Sequence, residues 1–217
     1  MSQAPHDRYS DAEELANSIS HGLGALLAAA GFAVLVVASV RRGTAVHVVS
    51  SSVFGLSLLN LYASSTLYHT IRNPGARGIL RRLDHAAIFL LIAGSYTPFT
   101  LVTLRGPWGW SIFGVVWGLA VIGLFFEDKL RHRRHGLSLG LYILMGWVAV
   151  VAIKPLVGTL PRGGIVFLFA GGLAYTFGTI FYMWRRIPYH HAWWHVAVLA
   201  GSVLHYVAVL RYVIPRG

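Results

Sequence analysis

Cysteine is absent from this chain and acids are nearly so: 217 residues hold 7 Asp and Glu against 18 Lys and Arg. Without cysteine there can be no disulfide, no thiol nucleophile and no thiolate ligand, so any metal must be held by His, Asp or Glu. Charge of either sign is scarce at 12%, where soluble domains carry about 25%. There is no low-complexity tract and no secretory cleavage pattern. A polar start of mixed charge over residues 1–18 also argues against a removed signal peptide.

What is abundant is apolar: 56% of residues are hydrophobic and the mean hydropathy is +0.62, the balance of an integral membrane protein. A net charge of +11 would suggest nucleic acid in a soluble protein. Here the basic residues sit in short connections between apolar runs, where they face anionic lipid, and no nucleic-acid partner is expected.

Seven runs are long enough to cross a hydrocarbon core, at residues 19–40, 45–70, 86–104, 108–126, 136–153, 163–184 and 192–213. Each must be a helix, because lipid cannot satisfy bare backbone groups and about 20 helical residues span the core. The connections are too short for a further domain. The expected architecture is an all-α membrane protein: a cytoplasmic segment at 1–18, then one seven-transmembrane helix bundle at 19–217. No pattern in these runs specifies an oligomeric state.

An odd number of spans puts the termini on opposite sides. Arg8, Arg72, Arg77, Arg81, Arg82, Lys129, Arg131, Arg133, Arg134, Arg185 and Arg186 fall on the N-terminal side, 11 of the 18 cations. Excess Lys and Arg mark the cytoplasmic face, so the N-terminus is predicted inside and the C-terminus outside. All 7 acids fall on that same face: Asp7, Asp11, Glu13, Glu14, Asp84, Glu127 and Asp128.

The stretch 189–195, Tyr-His-His-Ala-Trp-Trp-His, opens the last span. His191 and His195 are four residues apart, one helical turn plus about 40°, so both imidazoles can reach one ion from the same face. With the predicted topology, His69 at the end of the second span and Asp84 and His85 at the start of the third reach the same depth. Histidine and carboxylate groups near hydrocarbon are costly and face partners in the bundle interior. Three imidazoles with an open fourth position make a catalytic-type zinc sphere, with Asp84 as an outer acceptor or as the general base. Imidazole ligation alone also admits iron, nickel and copper.

Ser65 lies one turn before His69. Its hydroxyl either serves a water or carbonyl at such a site or returns a bond to the carbonyl four residues back. Glu14, Asn17 and His21 share one face of the first span. Glu14 reads as part of a polar entry turn capped by Asp11, and Asn17 and His21 as outer or packing groups. His205 is about 21 Å along the helix from His191, a packed histidine hydrogen-bonded within the bundle. His47, His132 and His135 read as solvated. Trp108, Trp110, Trp184, Trp193, Trp194 and Tyr189 form an interfacial belt, and Gly114 with Gly118 has the spacing of a helix-packing pair.

Glu14-Leu15-Ala16-Asn17 through His21, Ser65-Thr66-Leu67-Tyr68-His69, Leu83-Asp84-His85-Ala86-Ala87-Ile88-Phe89 through Gly94-Ser95-Tyr96-Thr97-Pro98, and His191-Ala192-Trp193-Trp194-His195 resemble the successive motifs of the hemolysin III family. That family is the bacterial branch of the progestin and adipoQ receptor group. The resemblance covers nearly the whole chain in motif order. It implies a seven-helix fold with the N-terminus inside, in a bacterial inner membrane. It further implies Zn2+ held by His69, His191 and His195 near the cytoplasmic face, with Asp84 and Ser65 beside the metal-bound water. The wider superfamily includes ceramidases, so the resemblance implies zinc-assisted hydrolysis of a membrane lipid amide or ester. It leaves two rivals: a non-enzymatic sensor of membrane lipid state, and a pore-forming cytolysin, which no amphipathic segment here supports.

Overall fold

Ser10 starts the first helix. Its hydroxyl accepts from the Glu13 amide at 3.3 Å while the Glu13 carboxylate takes the Ser10 amide at 2.9 Å, a reciprocal cap. The cap is therefore Ser10, not Asp11, and α1 runs over Asp11–Arg42. A computed structural model describes residues 9–133 and 135–215, with side chains except those of 127–136. The expectation of solvated His132 and His135 lies outside those described side chains. At 32 residues, α1 is about 48 Å long, longer than a hydrocarbon core of about 30 Å. The helix begins eight residues before the predicted run, within what reads in the sequence as a polar tail.

α2 spans Ala45–Thr70. Its N-terminus is closed by Thr44 and by His47, whose Nδ1 meets the Thr44 amide at 3.1 Å and hydroxyl at 2.9 Å. His47 is thus a buried capping residue, not a solvated one. α3 begins at Pro74 behind Asn73, which accepts from the Gly75 and Ala76 amides. Proline at the first helical position lacks only an amide that would have had no partner. That start lies twelve residues ahead of the predicted 86, because the basic stretch 77–82 is helical and not a loop. α3 ends at Pro98, and the span continues as a π-helical turn, Phe99–Leu104.

α4 follows over Gly106–Arg133 and α5 over His135–Gly146. The fifth span is broken: α5 gives way to a 3-10 turn, Val148–Ala152, and then α6, Ile153–Thr159. Pro155, which cannot donate to a helix, follows the break. Freed backbone groups inside a membrane need partners, and Tyr96 supplies them. Its hydroxyl donates to the Gly146 carbonyl at 2.7 Å and accepts the Ala149 amide at 2.9 Å. α7 is Arg162–Met183, and α8 is His190–Ala208 with a π turn to Val213.

The described residues hold seven helical stretches long and apolar enough to cross a membrane, and no strand. α1 packs on α2, α2 on α3 and α7 on α8, while α8 closes back against α1. Close approach depends on small residues: Gly24 lies under Tyr62 and Gly55 under Phe32, where a methyl group would collide. Gly114 and Gly118 do not behave this way; both are exposed, and a Cβ at either would meet nothing within 4 Å among the described residues, so this predicted packing pair is not a close helix contact there. Large apolar side chains such as Leu26, Phe125 and Val151 face outward, and Asn17, Ser50, Ser51 and Ser65 are buried. That inversion of a soluble protein suits a lipid solvent.

Candidate metal centre

Three helices meet at one end of the bundle. α2 brings His69, α8 brings His191 and His195, and α1 brings Glu14, Asn17 and His21, all of them buried. One ligand-capable nitrogen from each of His69, His191 and His195 lies within 4.8 Å of the others. Ring centroids are 5.1 Å apart for His69 and His191, 5.2 Å for His69 and His195, and 4.5 Å for His191 and His195.

Two of the rings have their tautomers fixed from behind. His69 Nδ1 is 2.6 Å from Glu14 Oε2. A carboxylate only accepts, so Nδ1 carries the hydrogen and Nε2 keeps its lone pair. His195 Nδ1 lies 3.2 Å from the Asn17 carbonyl and 3.0 Å from the Ser20 hydroxyl, which donates its own hydrogen to that carbonyl at 2.9 Å, so the ring donates from Nδ1 and Nε2 is left free. Glu14 is anchored in turn by Arg77, whose guanidinium pairs with Oε1 and lies over the Tyr68 ring. Among the described residues, His69 Nε2 and His191 Nδ1 are buried with no hydrogen-bond partner. Buried nitrogens left bare are costly, and a cation held among the rings would give His69 Nε2 its partner. The donor set is all imidazole nitrogen backed by a carboxylate and a carbonyl, which fits a divalent ion such as zinc.

His21 stacks on His195 at 3.5 Å and 11°, an outer packing group as its sequence position suggested. Tyr9 packs against the cluster, its ring 5.0 Å from that of His191 and 6.1 Å from that of His69. Burial raises the Tyr9 phenol well above its usual range, so it stays neutral beside the rings. Tyr189, just before α8, has φ 56°. For a bulky residue that left-handed conformation is strained, and it turns the chain abruptly into the helix that carries His191 and His195.

Asp84 is half-buried and lines a cavity of about 110 Å³ together with His21, His85, His191 and His195. Ser65 is fully buried one turn below His69, and its hydroxyl has no hydrogen-bond partner among the described residues. The alternative of a bond returned to the carbonyl four residues back is not realised there, whereas neighbouring Thr66 makes such a bond to Tyr62 at 2.7 Å. His205 donates from Nε2 to the Leu168 carbonyl at 3.1 Å, the packed histidine expected of it.

Glu14 and Arg77 are what the sequence reading missed. Glu14 reads as an entry-turn acid and Arg77 as a loop cation, yet together they hold His69. The signal was the spacing of Glu14, Asn17 and His21, which puts all three on one face of α1, and that face receives the cluster.

A multi-pass helical membrane protein with a buried three-histidine cluster suited to a metal is the class these features define. Comparison with known proteins gives the family. The family described as Haemolysin-III related matches residues 9–206, and the chain belongs to it. It is 45% identical to Hemolysin-3 of Bacillus cereus over 203 residues, covering 94% of this chain and 93% of that protein. Identity to the Hemolysin-3 homolog of Bacillus subtilis (strain 168) is 44% over 200 residues, 92% and 94% of the two chains. The human monocyte to macrophage differentiation factor is 26% identical over 172 residues, 76% of this chain and 70% of that protein.

Proposed function

We propose that this haemolysin-III-related protein holds a zinc ion at His69, His191 and His195 and hydrolyses an amide or ester of a membrane lipid. The observation that carries this reading is the cluster of three imidazoles, two of which, His191 and His195, line a largely apolar cavity that is also lined by the carboxylate of Asp84. When bound, the ion would polarise a substrate carbonyl and make water a better nucleophile near neutral pH.

The chain's own residues do the rest. Glu14 and the Asn17 carbonyl keep the His69 and His195 rings in their ligating tautomers. Asp84, on the cavity wall, takes the proton of the attacking water and returns it to the departing amine or alkoxide as the carbon–nitrogen or carbon–oxygen bond breaks. Ser65, with an unspent hydroxyl, donates toward the carbonyl oxygen as it gains charge. The apolar wall takes the acyl chain. The cation excess on the N-terminal side supports a cytoplasmic N-terminus, and with it a centre at the cytoplasmic face, and the Bacillus relatives support a bacterial cell membrane.

The test is to incubate purified protein with ceramide-like and phospholipid substrates, with and without chelator. Fatty-acid release that stops on chelation is expected. A metal-loaded protein that releases nothing across the panel would instead be a lipid-state sensor, a reading favoured by one observation: the three histidines tie α2 to α8, so a metal there also fastens helices. Dye leakage from liposomes separates both from pore formation.

A further inference from the structure

The cavity lined by His191 and His195 runs on past Val198 to Tyr96, Trp147 and His205. A ring that borders a cavity lacks packing on that side, so the contacts it does make have to fix its orientation. His69 and His195 differ in how this is done. His69 is backed by the Glu14 carboxylate at 2.6 Å. The hydrogen bonds of His195 go to neutral oxygens, the Asn17 carbonyl at 3.2 Å and the Ser20 hydroxyl at 3.0 Å. A neutral acceptor holds a donor less firmly than a carboxylate does, so further contacts matter at this ring.

Two consecutive residues of α1 supply them. Ser20 donates to the Asn17 carbonyl at 2.9 Å, which leaves its oxygen to accept from His195 Nδ1. The imidazole N–H is thus shared by two oxygens that are themselves joined, and this fixes how far the ring is turned within its plane. His21 lies flat on the same ring, with centroids 3.5 Å apart and planes 11° apart, and this fixes the plane. His21 is held in turn: Tyr62 of α2 meets it edge-on at 5.0 Å and 85°, and the Tyr62 hydroxyl donates to Ser202 at 2.7 Å. Ser202 is seven residues from His195, on the same face of α8. Contacts therefore close a loop from His195 through His21, Tyr62 and Ser202 back to α8. An ion on Nε2 would draw electron density from the His195 ring, which strengthens its attraction to an aromatic face stacked on it.

We propose that Ser20 and His21 are positioning residues for the metal ligand His195. The hydroxyl sets the rotation of the imidazole and the stacked ring sets its plane, so that Nε2 meets the ion already aligned. This role rests on the metal reading of the centre and is independent of whether the protein hydrolyses a lipid.

The experiment measures Zn2+ affinity by competition with a chromophoric chelator, and the visible absorption of the Co2+-loaded protein, for the purified full-length chain and three variants. His21→Leu keeps apolar bulk without a ring, and should weaken Zn2+ binding about three- to tenfold and shift the Co2+ bands. Ser20→Ala should weaken it about two- to fivefold. His21→Phe restores a ring that can stack, and should return affinity to within about twofold of the unaltered protein and the bands to their place. Unaltered affinity and bands in both Ser20→Ala and His21→Leu would overturn the proposal, and these two decide the matter if His21→Phe does not fold. So would a folded His21→Phe protein as weak as His21→Leu, which would make the imidazole nitrogens and not the stack the active feature. Affinity losses that merely follow the thermal midpoints of the metal-free variants would overturn it too. An unaltered protein that takes up neither ion removes the metal reading and this role together, whereas variants that match a metal-binding unaltered protein remove the role alone.

Discussion

The two ends of the cavity solve the same problem in opposite ways. At the histidine end, polar groups are dense and layered: Arg77 holds Glu14, Glu14 holds His69, and the Asn17 carbonyl holds His195. At the mid-membrane end, where Pro155 follows a broken span, polar groups are few and each answers a particular backbone or side-chain need. Tyr96 serves both sides of the break, and the Thr176 hydroxyl accepts the Trp147 indole at 3.0 Å. Layered support is what an ion-binding cluster needs, because ring orientation and tautomer must be fixed before the ion arrives. Sparse support is what a bent helix in lipid needs, because only the freed groups are at stake.

Substitutions should separate the two. His191→Ala and His195→Ala each remove one of three ligands and should abolish metal binding altogether, read as metal content of the purified protein. Asp84→Asn should retain metal and lose about 10²- to 10⁴-fold in turnover; unchanged turnover would remove Asp84 from the proton's path. Glu14→Gln leaves a donor-capable amide facing His69 and Arg77 without its anion, and should weaken metal affinity by about 10- to 100-fold. Tyr96→Phe strands the Gly146 carbonyl and the Ala149 amide, costing about 1–3 kcal/mol of stability. It should lower the thermal midpoint and leave metal content untouched. Loss of metal in that variant would mean that the two ends are not independent.

The span count and the residues of the histidine cluster were legible in the sequence, because hydropathy reports on lipid directly and four-residue spacing reports on a helix face. Helix ends were less so. α1 and α3 start well before their apolar runs because the capping groups of Ser10 and Asn73, not hydropathy, decide where a helix begins. The break in the fifth span was hidden for the opposite reason, since its residues are as apolar as a straight helix would be. His47 looked solvated near a helix end until its ring was seen to close the α2 terminus. The pairing of Glu14 with His69 is a contact between residues 55 positions apart, which no local pattern encodes.

Metal analysis of the purified protein tests the central claim most directly. One divalent ion per chain, zinc by elemental analysis, is expected, and it should vanish in His195→Ala while the protein stays folded by helical circular dichroism. A protein purified without chelator that holds no ion and takes up none on titration with zinc, or one that keeps a full equivalent after His69, His191 and His195 are all replaced, would contradict it.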